Sequence, residues 1–414
     1  MNGSSMQSQP QVIVVGGGPA GATTATILAQ QGVAVRLYER QRFPRFHIGE
    51  SLMPETYWTF KRLGVLEKLR SSQHVKKYSV QFVNDAGKES QPFYFFSNRE
   101  HECSQTWQVV RSEFDAMMLD NAAAHGVEVC DQVRVLEVLF DDNQRATGVR
   151  IQHDDGRKEE VSAQVVVDAS GQSSLIANRL HLREPDPILK KASVWAYYEG
   201  ASRECGVDEG ATLVLSTAEK KGWFWYIPLH SDTVSIGVVS SPAELFANGS
   251  DLEAIFAEQL EKCPAAAQRI AGARRKTSFF TTKDFSYYSK QVAGDGWVLV
   301  GDAFGFPDPI YSSGVFLALK SGEWAADAIA QGLAHGDLSG DQLGNWGPLF
   351  LEGLGRMRRL VYAFYEGFNF GRFIRKYPHC QQHVIDLLIG DLFKPSVDEV
   401  FGPMEELMSE PAEA

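Results

Sequence analysis

The chain has 414 residues, 44% hydrophobic and 22% charged, enough to bury a large core in two or more structural units. Its net charge of −12 argues against nucleic acid as a general partner, and no apolar run is long enough to span a membrane. Five scattered cysteines without a CxxC pair, and ten histidines without an HExxH pair, indicate neither a disulfide framework nor a metal site. That pattern predicts a reduced, cytoplasmic setting. Met1–Ser5 carries no signal-peptide apolar region and reads as a disordered tail.

Val12-Ile13-Val14-Val15 reads as a buried parallel strand. Gly16-Gly17-Gly18-Pro19-Ala20-Gly21 follows and fits G-x-G-x-x-G, with a helix predicted from Ala20 to Gln31. Gly16 permits the tight turn, Gly18 lets the backbone approach a pyrophosphate, and Gly21 allows helix to pack on strand. The helix N-terminus then faces the phosphates with free N–H groups and its positive dipole end. A second strand, Val33 to Tyr38, ends in Glu39-Arg40, where a carboxylate accepts hydrogen bonds from ribose hydroxyls. Strand, glycine turn, helix, strand and acid in this order predict a dinucleotide site.

Further on, 77–104 and 185–285 are rich in β-branched and aromatic residues and predict antiparallel strands of a second domain, with a helix at Leu252–Leu260. Gly222-Trp223-Phe224-Trp225-Tyr226-Ile227-Pro228 places two tryptophans on one strand face, and the proline is expected to end that strand or mark it as an edge. Ser312-Ser313-Gly314 precedes a helix start at Val315–Leu319, where hydroxyls and free N–H groups can hold an anion or simply cap the helix. A helix-rich tail begins near Gly322. Met357 to Ile374 carries six aromatics and predicts a core-facing helix, with an aromatic wall over a cavity as the second reading.

Two strand ends, Val165–Gly171 and Trp297–Ala303, resemble motifs of the p-hydroxybenzoate-hydroxylase-like flavoproteins. The resemblance implies that Asp302 holds the ribityl chain of FAD and that Arg111 lies near its phosphates. Within that superfamily the chain resembles the flavin-dependent halogenases. Trp223–Pro228 matches their W-x-W-x-I-P motif, Phe306–Gly314 their F-x-x-P-x-x-S-x-G motif, and Phe46–Pro54 resembles their G-E-S-L-x-P stretch. Lys76–Phe82 resembles the segment that bears their active-site lysine, which falls on Lys77.

The resemblance implies a reaction in which reduced FAD, dioxygen and chloride or bromide yield hypohalous acid. That acid passes through a tunnel to Lys77, which hydrogen-bonds it or forms a haloamine, and an electron-rich aromatic ring is halogenated. Gly16, Gly18, Ala20, Gly21, Glu39, Arg40, Arg111, Asp302 and Gly314 are the expected cofactor contacts. Ser312, Ser313 and Gly314 are the expected halide site. Trp223, Trp225, Ile227 and Pro228 form a barrier between flavin and substrate. Tyr311 stands where tryptophan-specific members carry a glutamate, which points to a phenol or pyrrole, free or on an acyl or peptidyl carrier protein. No second glycine fingerprint follows a strand, so a separate reductase is expected to supply reduced FAD.

The expected fold is a Rossmann-type α/β FAD-binding domain, discontinuous over 1–76, 105–184 and 286–335. An antiparallel β-sheet substrate domain (77–104 and 185–285) is inserted, and a helical C-terminal region covers 336–414. The alternatives are a flavin monooxygenase on the same fold without halogenation, and a non-catalytic flavin-binding or carrier-docking protein.

Overall fold

The computed structural model describes residues 9–97, 100–283 and 285–410; the Met1–Ser5 tail lies outside them. Along the chain run β1 (Val12–Val15), α1 (Pro19–Gln30), β2 (Val35–Tyr38), β3 (Val75–Lys77), β4 (Ser79–Val83), β5 (Thr106–Gln108), α2 (Arg111–Ala124) and β6 (Val165–Asp168). Then come β7 (Ala192–Glu199), β8 (Thr212–Ser216), β9 (Gly222–Leu229), β10 (Thr233–Ser240), β11 (Trp297–Leu299), α3 (Ser313–His335), α4 (Gly347–Tyr365) and α5 (Phe370–Lys376).

β11, β6, β1 and β2 lie side by side and parallel, in that order, continued by Glu128–Cys130 and closed at the other edge by antiparallel Ala293–Gly294. β1 and β6 are buried on both faces, which is why they are apolar runs, β6 ending in Asp168; β2 carries Arg36, paired with Glu128 at 2.7 Å. Gly16 sits at φ +107°, and a Cβ there would stand 2.4 Å from the Ala169 carbonyl oxygen. A Cβ on Gly21 would stand 2.0 Å from the Gly16 oxygen, so a side chain at either position would push α1 off the sheet. Pro19 begins α1 at a position where no N–H is needed.

The second large sheet runs Arg274–Arg275, β7, β10, β9, β8, β4, Phe93–Tyr94, with Phe280–Lys283 also on β7. It departs from the antiparallel expectation at one seam: β8 and β4 are parallel, Thr212 beside Val80. Parallel neighbours need a long crossover, and the chain between Val83 and Thr212 supplies it by passing through much of the first domain. β3 does not join this sheet. It pairs with β5, Lys77 opposite Thr106, so the expected boundary at 76/77 falls inside a strand.

Alternation along β9 sorts its aromatics between two cores. Trp223, Trp225, Ile227 and Leu229 belong to the cluster shared with the nucleotide domain, while Phe224 and Tyr226 belong to one under the helix Leu252–Glu261. Phe224 meets Phe256 edge-on at 5.6 Å. Pro228 neither ends β9 nor lies at a sheet edge: the strand continues to Leu229 between β8 and β10. Pairing with β8 stops at Tyr226, so one side of the strand is free at Pro228 and a missing N–H is tolerated there.

The aromatic stretch Met357–Ile374 is two helices rather than one. Gly367, at φ +90°, ends α4, and the Asn369 side chain accepts from Arg372 N at 2.9 Å to start α5. Among the described residues no helix is long and apolar enough to cross a membrane. Among the described residues no disulfide is formed.

Candidate active site

A groove of about 410 Å³ opens where the carboxyl ends of β1 and β6 meet the start of α1. Gly16, Gly18, Ala20, Glu39, Arg40, Arg111, Asp302 and Gly314 line it, while Gly21 lies beneath, packed on Gly16. Glu39 Oε2 accepts from Gly17 N at 2.9 Å and Oε1 from Gln41 N at 2.8 Å, which fixes the carboxylate at the groove edge. Arg111, the first residue of α2, bonds Asp115 through Nε (2.8 Å) and Nη2 (3.0 Å) and the Ile48 carbonyl through Nη1 (2.6 Å). Arg45, which the sequence reading passed over, lines the same groove and reaches Asp115 at 3.1 Å. One buried carboxylate thus holds two guanidiniums against a surface that also carries a helix N-terminus, an arrangement made for a phosphate-bearing ligand. The Asp302 carboxyl faces the same space, pushed up to about 6 by burial and held down in part by Arg111.

A second cavity, of about 100 Å³, adjoins the groove and shares Gly49, Trp225, Phe306, Pro309 and Gly314 with it. Its other walls include Ser51, Thr212, Trp223 and Ile227. A Cβ on Gly314 would stand 2.7 Å from Phe306, so only glycine leaves this junction its present shape. Trp223 and Trp225 lie 6.4 Å apart, and their indole N–H groups donate to Tyr365 (3.0 Å) and Ser235 (3.1 Å). Both tryptophans are therefore held in place, and Trp225 separates the two spaces. Pro228 lines neither.

Lys77 is not the solvated strand lysine that its neighbour Lys76 is: it is 4% exposed. Its Nζ donates to Ser51 Oγ at 2.8 Å and to the Leu52 carbonyl at 3.0 Å, and stands 5.5 Å from the Phe95 ring centre. Ser51 in turn lines the second cavity and pairs with Thr212 Oγ1 at 2.9 Å, so one hydroxyl lies between the amine and the open space. Among the described residues no carboxylate pairs with Lys77. Burial alone lowers its pKa to about 7, so near neutrality much of it is the free amine.

α3 begins beside the second cavity. Ser312 takes a left-handed conformation at φ +59° and lines that cavity, without capping the helix by its side chain. Ser313 is fully buried, and its Oγ has no hydrogen-bond partner. A 23-residue helix starts at this junction, whose free N–H groups suit a small anion; Ser312 and Gly314 line the cavity, whereas Ser313 lines neither space. Tyr311 lines neither space. Its ring packs edge-on to Phe364 and Phe370, and its hydroxyl turns to the Leu360 carbonyl at 3.4 Å. Phe364 and Tyr365 back the Trp223 side of the cavity without lining it, which falls between the two readings of the aromatic stretch.

Two carboxyls escaped the sequence reading. Glu50 lines the second cavity and is bonded to the Tyr197 hydroxyl; its Oε2 is buried without a partner, and burial raises its pKa to about 7. Asp308 is fully buried, also raised to about 7, and accepts from Tyr365 at 3.1 Å, completing a chain from Trp223 Nε1. Both lie inside matched motifs; burial, which no spacing reveals, makes them titrate near neutrality.

Residues 9–335 match the FAD binding domain family. The chain is 28% identical to the 1H-pyrrole-2-carbonyl-[peptidyl-carrier protein] chlorinase of Pseudomonas fluorescens, over 96% of this chain and 93% of that one. It is 33% identical to the corresponding brominase of Pseudoalteromonas luteoviolacea, over 79% of this chain and 78% of that one. It spans about two thirds of several longer Armillaria mellea flavin-dependent halogenases. The solved structure of flavin-dependent brominase Bmp2 superposes with a TM-score of 0.88 at 29% identity, covering 96% of this chain and 98% of that one.

Proposed function

The chain belongs to the flavin-dependent halogenases, and we propose that it halogenates a phenol or a pyrrole, free or borne on a carrier protein, with Lys77 as the halogen-delivering amine. The observation that carries this reading is the Lys77 amine itself. It is desolvated, unpaired with any described carboxylate, and one hydroxyl away from a small cavity that adjoins the groove. The groove residues fit FAD: the glycine turn at the start of α1 with Arg111 and Arg45 for the pyrophosphate, Glu39 for the ribose, and Asp302 for the ribityl chain. When bound and reduced, FAD supplies with dioxygen the two-electron oxidation of halide to hypohalous acid.

The chain's own residues do the rest. Ser312, Ser313 and the N–H groups at the start of α3 hold chloride or bromide at the junction of groove and cavity. Trp223, Trp225 and Ile227 keep an aromatic ring out of the groove and leave the junction to species of a few atoms, which suppresses hydroxylation. Lys77 Nζ, as the free amine, either hydrogen-bonds hypohalous acid or takes its halogen and releases water, then yields the halogen to the ring carbon and regains a proton. Ser51 positions the amine. Glu50, which lines the cavity and keeps one oxygen without a partner, is placed to receive the proton that leaves the ring.

The carrier-bound substrates named for the two bacterial relatives favour a pyrrole on a peptidyl carrier protein. Tyr311 supports the same direction, because its hydroxyl is turned away from the cavity and offers no carboxylate to an indole nitrogen. A separate reductase supplies reduced FAD, and five scattered cysteines without a CxxC pair suit a cytoplasmic site of action. The discontinuous FAD-binding domain and the inserted substrate domain divide this labour along β3, which carries Lys77. The test supplies reductase, FAD, dioxygen and bromide or chloride to the enzyme, with pyrrole-2-carbonyl carrier protein, free phenols and indoles. Mass spectrometry is expected to show a halogen isotope pattern on a pyrrole or phenol. A gain of oxygen alone, retained after Lys77→Ala, would overturn the proposal in favour of a monooxygenase.

A further inference from the structure

Away from the groove, three side chains from distant parts of the chain converge on a spot that the reaction does not use. His74 precedes β3, three residues before Lys77. Glu113 lies in the first turn of α2, and His230 follows β9, two residues after Pro228. One ligand atom from each lies within 4.8 Å of the other two. We propose that His74, Glu113 and His230 bind a divalent transition-metal ion of the zinc class, which clamps the Lys77 strand to the end of the tryptophan strand.

The donor set is two imidazoles and one carboxylate, which suits Zn²⁺, Co²⁺ or Ni²⁺ rather than the all-oxygen preference of Mg²⁺ or Ca²⁺. Metal–ligand bonds of about 2.0–2.1 Å in a tetrahedral site set ligand atoms roughly 3.3 Å apart. His230 Nε2 and Glu113 Oε2, at 2.9 Å, already meet that spacing. His74 needs to close by no more than about 1.5 Å, a rotamer adjustment, to reach the same sphere. The His230 ring is oriented from behind, with Nδ1 on Ser231 Oγ at 2.8 Å, as ligating imidazoles are. The His74 and His230 rings stand 5.8 Å apart and tilted 42° rather than stacked. A simple His230–Glu113 ion pair explains one of these contacts. It leaves His74, 7% exposed with Nδ1 buried and without a hydrogen-bond partner, unexplained. Glu113 is half exposed, which opens the spot to solvent and leaves room for water to complete the coordination.

No sequence spacing announces such a site, since each ligand sits on a different element. Its position gives it a consequence for the reaction site without any contact with the reacting atoms. β3 is only three residues long, and fixing His74 fixes the strand from which Lys77 projects.

The test uses the full-length, FAD-loaded protein, stripped with a chelator and titrated with Co²⁺ and then Zn²⁺. One Co²⁺ per chain with visible d–d absorption, displaced by Zn²⁺ with a rise in Tm, is the expected result. Zn²⁺ is also expected to slow amide exchange over residues 72–77 and 230–233. Glu113→Gln, a solvent-facing change that spares the fold, is expected to weaken binding at least tenfold, and His230→Ala to abolish it, with FAD absorbance retained in both. Absence of stoichiometric binding in the wild type, or an affinity unchanged in both variants, would overturn the site.

Discussion

The groove and the small cavity share a wall and are built on opposite principles. At the phosphate and ribose ends of the groove, charges are paired: Arg111 and Arg45 share Asp115, and Glu39 is bonded to the backbone at both oxygens; Asp302, desolvated, is the exception. In the cavity region they are stranded. Lys77 has only neutral acceptors, Glu50 keeps one oxygen without a partner, and the Ser313 hydroxyl has none. Paired groups hold a ligand in one geometry; desolvated ones are the groups whose protonation state can be put to chemical use. Trp225, which lines both spaces, lies where the two regimes meet.

The comparison breaks first at Gly16. Gly16→Ala places a Cβ against the Ala169 carbonyl at an unfavourable φ, so the protein is expected to retain no FAD on gel filtration and to show no activity. Lys77→Ala is the converse: FAD absorbance is expected to stay, while halogenation falls by roughly 10³-fold or more. Loss of FAD in that variant would mean that Lys77 serves the groove after all.

The pH dependence sharpens the same contrast. With Lys77 lowered to about 7, kcat/KM is expected to rise with pH through that value as the amine loses its proton. Glu50 titrates in the same region, so the limb belongs to Lys77 only if it persists in Glu50→Gln. Stability follows the sign of the shift. The unfolded chain, with lysine near its ordinary 10.5, binds the extra proton between about pH 7 and 10.5, so stability rises with pH over that window. Denaturant midpoints of Lys77→Met across the window are expected to lack that rise.

Smaller effects separate positioning from chemistry. Ser51→Ala removes one of the two acceptors of Lys77 and is expected to lower kcat by about tenfold with KM for bromide unchanged. Trp223→Phe keeps an aromatic ring but loses part of the indole's volume and the bond to Tyr365, costing about 1–3 kcal/mol in a denaturant titration. Its product profile is expected to stay, whereas Trp225→Ala is expected to raise peroxide release. Unchanged uncoupling in Trp225→Ala would remove the barrier role from the pair.

The glycine-turn wall of the groove was legible in the sequence because its parts are local, whereas Arg111 and Asp302 were reached only through resemblance. A strand, a glycine turn and a helix start are contiguous residues with a fixed meaning. Lys77 was reachable only through resemblance, since a lysine beside a lysine on a strand reads as solvated until burial separates them. Glu50, Asp308 and Arg45 were missed for the same reason: desolvation and pairing come from chain folded back from 57 residues away (Asp308 and Tyr365) or farther, as with Arg45 and Asp115. The helix break at Gly367 and the parallel seam between β8 and β4 were missed because one glycine and one long crossover outweighed the local pattern.

The alternation of β9 between two cores also constrains how this protein can diversify. A single-residue insertion in that strand would rotate every side chain beyond it by one step, sending Phe224 or Tyr226 toward the cavity and an indole toward the helix on the other face. Natural or engineered variation on β9 must therefore proceed by replacement. Length changes are confined to the turn at Ser231–Asp232, where both residues already take left-handed conformations. A library meant to reshape substrate choice gains by varying 223, 225 and 227 together and holding 224 and 226 fixed.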